Sequence, residues 1–206
     1  MSRLGSLEVI TGCMFAGKTE EVLRRVRRTA IARQKVLLVS HGLDERYRPA
    51  SITSHDQRSY DARTASSAAD VVELVAPDTE VLVIDEAQFF PADLALLCSA
   101  LAARGLRVIV AGLDLDFRGE PFGPIPALLA YADQVDKLTA VCVVCGQPAT
   151  RTQRLISGRP ASYNDPLILV GAADAYEPRC RAHHEVPDHP ALSVRLPQGP
   201  QMDLGL

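Results

Sequence analysis

Two glycines, a lysine and a threonine are spaced in this chain as Gly12-Cys13-Met14-Phe15-Ala16-Gly17-Lys18-Thr19, a complete G-x-x-x-x-G-K-T run. These residue types in this order suit the capture of a polyphosphate. The glycines let backbone N–H groups curl round the anion, Lys18 reaches toward its β- and γ-phosphates, and the Thr19 hydroxyl holds Mg²⁺. An acidic pair, Asp85-Glu86, directly follows the apolar run Val81-Leu82-Val83-Ile84. An acid at the end of such a strand holds the same cation, directly or through water. Glu86 points differently and is free to take a proton: in an ATPase such a glutamate orients a water, whereas in a kinase it would deprotonate an acceptor hydroxyl. The plain alternative is an acid that caps a helix or pairs in a loop.

A third constellation joins Cys142-Val143-Val144-Cys145 to Cys180-Arg181-Ala182-His183. Three thiolates and an imidazole in two short pairs match a tetrahedral structural zinc site. A lone C-x-x-C also reads as a redox pair, but the second pair favours metal. His184 is an alternative to His183 and His189 a weaker one; the repeated two-residue gap favours His183. Cys98 lies in an apolar helical run and reads as core. Cys13 sits inside the phosphate loop without an assigned role.

These groups need a scaffold that brings them together. Residues 7–11 read as a buried strand feeding the loop, and 20–34 as the helix behind it. Further strands are predicted at 35–40, 81–84 and 107–111, with a fifth at 134–139, and helices at 65–75 and 94–104. Residues 41–64 read as an exposed polar loop. Apolar strands alternating with helices predict an α/β fold whose mostly parallel sheet is covered on both faces. Beyond residue 140 the chain turns to short elements with Cys, Gly, Pro and His. The expected division is a nucleotide-binding core at 1–140, a small zinc-binding unit at 141–190 and a disordered tail at 191–206.

The chain has 206 residues, 47% of them hydrophobic, and a net charge of −3. That length suits one main domain with a small appendage. The charge gives no general reason to expect nucleic-acid binding. Arg24-Arg25 and Arg27-Arg28 fall opposite Val22, Leu23, Val26 and Ala30 on the first helix and read as a solvated face. Neither a signal peptide nor a membrane span is evident, so the expectation is a cytoplasmic protein with reduced thiols.

The phosphate loop, Leu43-Asp44-Glu45-Arg46-Tyr47, Asp85-Glu86-Ala87-Gln88-Phe89-Phe90 and Gly112-Leu113-Asp114-Leu115-Asp116-Phe117-Arg118 together resemble the type II thymidine kinases. Pro121-Phe122-Gly123 and Gly171-Ala172-Ala173-Asp174-Ala175-Tyr176 extend that resemblance to nearly the whole chain, in family order. The resemblance implies a P-loop core of the RecA type, a zinc-held lasso, and usually a homotetramer inhibited by the end-product triphosphate. It implies phosphoryl transfer from ATP to the 5′-hydroxyl of thymidine or deoxyuridine, with Glu86 as general base. ATP would lie on residues 12–19 with Arg46, Asp85 and Gln88, and Mg²⁺ on Thr19, Asp85 and Asp44. Met14, Phe89, Leu113, Phe117, Phe122 and Tyr176 would form the base pocket. The lasso corresponds to residues 162–170, and main-chain groups of Leu167, Ile168, Leu169, Val170 and Gly171 would read the thymine edge. Cys13 stands where proline is common in the family, Ala16 where serine is, and residues 159–166 are longer than in vertebrate-like members. The Cys₃His set resembles the bacterial ones.

Two other classes compete. Asp85-Glu86-Ala87-Gln88 superficially resembles a helicase box, which suggests a nucleic-acid-stimulated P-loop ATPase, but 206 residues leave no room for the usual second motor domain. A zinc-ribbon binding module with a vestigial nucleotide fold sits poorly with intact Lys18, Thr19, Asp85 and Glu86.

Overall fold

The computed structural model of the chain describes residues 4–42, 62–168 and 175–190. Six strands form one parallel sheet: β1 (Ser6–Thr11), β2 (Val36–His41), β3 (Arg63–Ala65), β4 (Val81–Asp85), β5 (Arg107–Gly112) and β6 (Gln134–Lys137). Their spatial order is β3-β2-β4-β5-β1-β6, so β5 separates the strand of the phosphate loop from the strand that ends in Asp85.

Side chains alternate between faces along a strand, and both faces of these strands are apolar. Leu7, Val9, Leu82, Ile84, Val108 and Val110 pack on one side with Leu94, Cys98 and Leu101 of α3 (Leu94–Ala103). Ile125 and Leu128 of α4 (Ile125–Tyr131) join them there. Ile10, Val83, Ile109 and Ala111 pack on the other side with Val22 and Val26 of α1 (Lys18–Ile31). The apolar runs and the parallel α/β architecture follow the sequence expectation. Cys98 is core, as its setting suggests.

Three local differences have identifiable causes. Residues 63–65 pair with β2 as an edge strand, where the sequence predicts loop and then helix. Helix α2 (Ala68–Leu74) starts later than 65 because Ser67 and Asp70 form a reciprocal capping box: the Ser67 hydroxyl takes the Asp70 N–H, and the Asp70 carboxylate takes the Ser67 N–H. Helix α4 has no sequence prediction, and two prolines, Pro124 and Pro126, lie at its start. They stand at its N-cap and first turn, where no N–H is needed.

The Arg24–Arg28 cluster also differs. Arg25 is buried, with its guanidinium donating to Glu8 (2.6 Å), Glu21 (2.8 Å) and Asp136 (2.6 Å). Arg107 donates to Glu8 as well, at 2.6 Å. One of the four arginines thus ties α1 to β1 and β6 rather than facing water.

Past β6 the sheets are small and antiparallel. β7 (Ala140–Val141) pairs with β8 (Pro148–Ala149), and β9 (Arg151–Ile156) lies between β10 (Arg159–Pro160) and β11 (Ala175–Arg179). Among the described residues no helix is long and apolar enough to cross a membrane. The predicted tail, 191–206, lies outside the described residues, as does most of 41–64.

Candidate functional site

The phosphate loop leaves β1 at Gly12 and enters α1 after Gly17. Gly12 has φ +141°, and a Cβ there would stand 2.3 Å from the Leu138 carbonyl oxygen, so only glycine fits. The first-turn N–H groups of α1 have no partners within the helix and, with the helix dipole, favour an anion. Lys18 Nζ donates to the carbonyls of Gly12 (3.1 Å) and Cys13 (2.9 Å). Burial pushes the Lys18 ammonium below its ordinary range, while the charges of Glu86, Asp85 and Asp114 act against that shift. A phosphate arriving here meets a desolvated cation with strong reason to pair.

Cys13 acquires a place. Its thiol is buried and donates to the Ala149 carbonyl at 3.3 Å, while the neighbouring Met14 N–H donates to Thr152 Oγ1 at 3.0 Å. The phosphate loop therefore leans on β8 and β9.

Asp85 closes β4, and its Oδ1 accepts the Glu86 N–H at 2.9 Å. Glu86 takes the left-handed conformation (φ 54°, ψ 38°) ahead of a single 3₁₀ turn at Ala87–Phe89. Gln88 is buried and bridges two strands: its Oε1 accepts the Leu113 N–H (3.0 Å) and its Nε2 donates to Glu86 Oε2 (2.5 Å). The loop after β5 crowds onto it. A Cβ at Gly123, which has φ +52°, would lie 2.2 Å from the Gln88 carbonyl oxygen.

A cavity of about 790 Å³ runs between these elements, large enough for a small-molecule substrate. Met14, Phe15, Gly17, Lys18 and Thr19 line it from the loop, and Glu86, Gln88 and Phe89 from the end of β4. Leu113, Phe117 and Phe122 line it from the β5 loop, and Leu167, Ile168 and Tyr176 from the small sheets. Phe89 and Phe122 meet edge to face, 5.8 Å between centroids. The structure thus gathers most of the sequence-predicted residues on one wall or another. Gly12, Cys13, Ala16 and Asp85 are not among the lining residues, and Asp44, Arg46, Leu169, Val170 and Gly171 lie outside the described residues.

Four lining residues escape the sequence: Glu20, Leu115, Asp116 and Thr152. Asp116 is buried, and desolvation raises its carboxyl above the usual range although the Glu120 and Arg118 N–H groups pull the other way. Thr152 reaches the cavity only because β9 folds back over the phosphate loop, which no local pattern announces.

A separate cluster holds Cys142, Cys145, Cys180 and His183, with donor atoms all within 4.8 Å of one another. Cys145 and Cys180 sulfurs lie 3.7 Å apart, and His183 Nδ1 lies 3.8 Å from Cys142 Sγ and 3.2 Å from Cys180 Sγ. Tetrahedral zinc with its ordinary bond lengths needs edges of about 3.6–3.8 Å. The donor set fits. The Cys142 thiol drops to about 6: burial pushes it up, but the Cys180, Val144 and Cys145 N–H groups and His183 pull it further down. His184 is elsewhere, its Nε2 2.9 Å from the Phe117 carbonyl.

The oxygen donors suit Mg²⁺ equally well by chemistry. The Thr19 hydroxyl and the Asp85 carboxylate offer hard oxygen donors of the kind that Mg²⁺ takes.

A family model described as thymidine kinase matches residues 5–184. A curated thymidine kinase from Coprothermobacter proteolyticus is 55% identical over 183 residues, covering 89% of this chain and 92% of that protein. Among solved structures, the X-ray structure of the Legionella pneumophila ATPase DotB aligns with a TM-score of 0.39 at 14% identity, over 64% of this chain and 36% of that one. This last likeness is too loose to carry an argument. With the family match spanning the phosphate loop, Asp85-Glu86 and the metal cluster alike, the chain belongs to the thymidine kinase family.

Proposed function

We propose that this enzyme transfers the γ-phosphoryl group of ATP to the 5′-hydroxyl of thymidine, with deoxyuridine as a second acceptor. One observation carries the reading: a single cavity is lined by Lys18 and Thr19 of the phosphate loop, by Glu86 and by the aromatic rings of Phe89, Phe117, Phe122 and Tyr176. Phosphoryl transfer asks for positioning and charge stabilisation more than covalent help. The loop's N–H groups and Lys18 grip the phosphates. Thr19 and Asp85 would hold Mg²⁺, which when bound would supply further positive charge at the phosphates. Glu86 takes the proton of the acceptor hydroxyl as its oxygen bonds to the γ-phosphorus and the bond to the bridging oxygen breaks, releasing ADP. Phe89, Phe117, Phe122 and Tyr176 suit a flat base better than a ringless metabolite.

Cys142, Cys145, Cys180 and His183 hold a structural zinc, since four protein donors leave no position for a catalytic water. The division at residue 140, a cytoplasmic location, a homotetramer and the absence of a nucleic-acid partner belong to the same reading. The family resemblance supports the tetramer, and the net charge of −3 supports the last.

A screen of natural nucleosides as acceptors, with ATP and Mg²⁺, tests the proposal. Thymidine and deoxyuridine should be phosphorylated and purine nucleosides refused. A purine deoxynucleoside as the best acceptor would leave the chemistry standing and overturn the substrate. ADP release that depends on nucleic acid and not on nucleoside would overturn both.

A further inference from the structure

Arg154 is the bulkiest fully buried side chain among the described residues, at 0% exposure. It sits on β9, two residues from Thr152 and so on the same face of the strand. Opposite it in the β9–β11 register is Tyr176, a cavity residue. Its guanidinium carbon lies 5.2 Å from the centre of the Phe117 ring. Arg118 approaches the same ring at 5.4 Å and the Tyr163 ring at 4.8 Å. Each guanidinium also donates to a main-chain carbonyl of one short segment: Arg118 Nη2 to Asp165 (2.9 Å), Arg154 Nη1 to Pro166 (2.6 Å). The next two residues, Leu167 and Ile168, line the cavity.

We infer that Arg118 and Arg154 are positioning residues for the nucleoside: they clamp residues 165 and 166 to the Phe117 ring and so fix two walls of its pocket. The inference rests on the thymidine kinase reading. Burying an arginine carries a large desolvation cost, so an apolar side chain would serve mere stability better. What an apolar residue cannot do is stack a charged plane on an aromatic ring while donating N–H groups from the plane's edge. Lysine cannot do both either, because its ammonium is a point charge on a flexible stem. The clamp sets where Phe117, Leu167 and Ile168 stand before any substrate arrives, which lowers the ordering cost of binding. Its bonds to Asp165 and Pro166 and its approach to the Phe117 ring all hold walls of the nucleoside pocket, so its effect falls on the nucleoside.

Arg118→Lys and Arg154→Lys in the full chain, compared with wild type, test this. The KM for thymidine should rise about tenfold or more, by the size of one lost stacked, charge-assisted contact. The KM for ATP, kcat at saturating thymidine and the zinc content should stay within about twofold on the same footing. Combined with Phe117→Leu, either change should be non-additive, because both act through one ring. Hydrogen exchange without nucleoside should show faster exchange in residues 162–168 of both variants and unchanged protection in α1. If Arg154→Lys does not fold, Arg118→Lys, which is only half-buried, decides alone. Unchanged thymidine KM, equal rises in both KM values, additive effects or unaltered exchange at 162–168 would each overturn the clamp. A wild type inactive on thymidine would instead overturn the functional reading, and the exchange measurement would still judge the clamp.

Discussion

Glu86 adopts a backbone conformation that non-glycine residues rarely take, at a cost of about 1–3 kcal/mol when the surroundings enforce it. The surroundings here are Gln88, whose amide holds the carboxylate, and the 3₁₀ turn, whose Phe89 N–H returns to the Glu86 carbonyl. If the carboxylate is the general base, Glu86→Gln should retain ATP binding and lose about 10²-fold or more in kcat; an ATP titration beside single-turnover rates checks both halves, and near-normal turnover excludes the role. Gln88→Met should cost about 1–3 kcal/mol of stability, since the buried Leu113 N–H loses its acceptor. It should also lower kcat while leaving ATP affinity intact, because the Glu86 carboxylate loses the group that aims it. Thermal unfolding and steady-state kinetics separate these effects. The chemistry-bearing residues were legible at this scale because G-x-x-x-x-G-K-T, an acid after an apolar strand and paired C-x-x-C/C-x-x-H spacings encode their function locally. Gln88 shows where legibility stops. The family resemblance puts it at the nucleotide, and it does line the cavity, but both its side-chain hydrogen bonds run to Leu113 and Glu86, a relation set by contact between the segments that follow β4 and β5.

Helix α1 shows how tertiary charge overrides a local pattern. By helical spacing Arg25 belongs with its exposed neighbours, yet Glu8 and Asp136, 17 residues before it and 111 after, meet it beneath the helix. No window of sequence contains that set. Replacing Arg25 by Met should destabilise the fold by about 2 kcal/mol, less than a fully orphaned buried charge, because Glu8 keeps Arg107. The same network sets an acid response. Arg24 first, then Arg25, hold the Glu21 carboxyl at about 2 against the pull of burial. Burial raises Glu8, but Arg107 and Arg25 lower it further, leaving it below its usual 4.5. Carboxyls depressed in the folded state stabilise it above their unfolded value. That contribution should be complete above about pH 4.5 and disappear as the pH falls toward 2. Denaturant midpoints measured from pH 6 to 3 should decline on acidification, and the decline should be shallower in Arg25→Met. The strands and α3 were legible because burial on both faces writes continuous apolar runs. β3 and α4 were not, since a three-residue edge strand and a helix opened by two prolines lack that signature.

Across the molecule, the metal-holding unit and the phosphate loop are one packed structure. Cys13 lies in a buried cluster with Ala140, Ala149 and the metal ligand Cys142. With Ala149 and Thr152 bonded to Cys13 and Met14, loss of zinc should reach the ATP site as well as the nucleoside pocket. The lasso that the family resemblance implies points to thymidine alone. Cys180→Ser should therefore release the metal and weaken ATP and thymidine together; metal analysis with separate titrations checks this, and normal ATP affinity in zinc-free protein would show the two units to be independent. The burial of Cys13 has one more consequence, for reagents. Of the chain's five cysteines, three belong to the metal cluster, and the other two are closed to solvent, Cys13 at 2% exposure and Cys98 at 0%. Burial also raises both of these thiols, Cys98 to about 12, so neither offers a thiolate at neutral pH. A colorimetric disulfide reagent added to the native enzyme thus senses the cluster alone, and its slow release of colour becomes a running gauge of zinc leaving the protein.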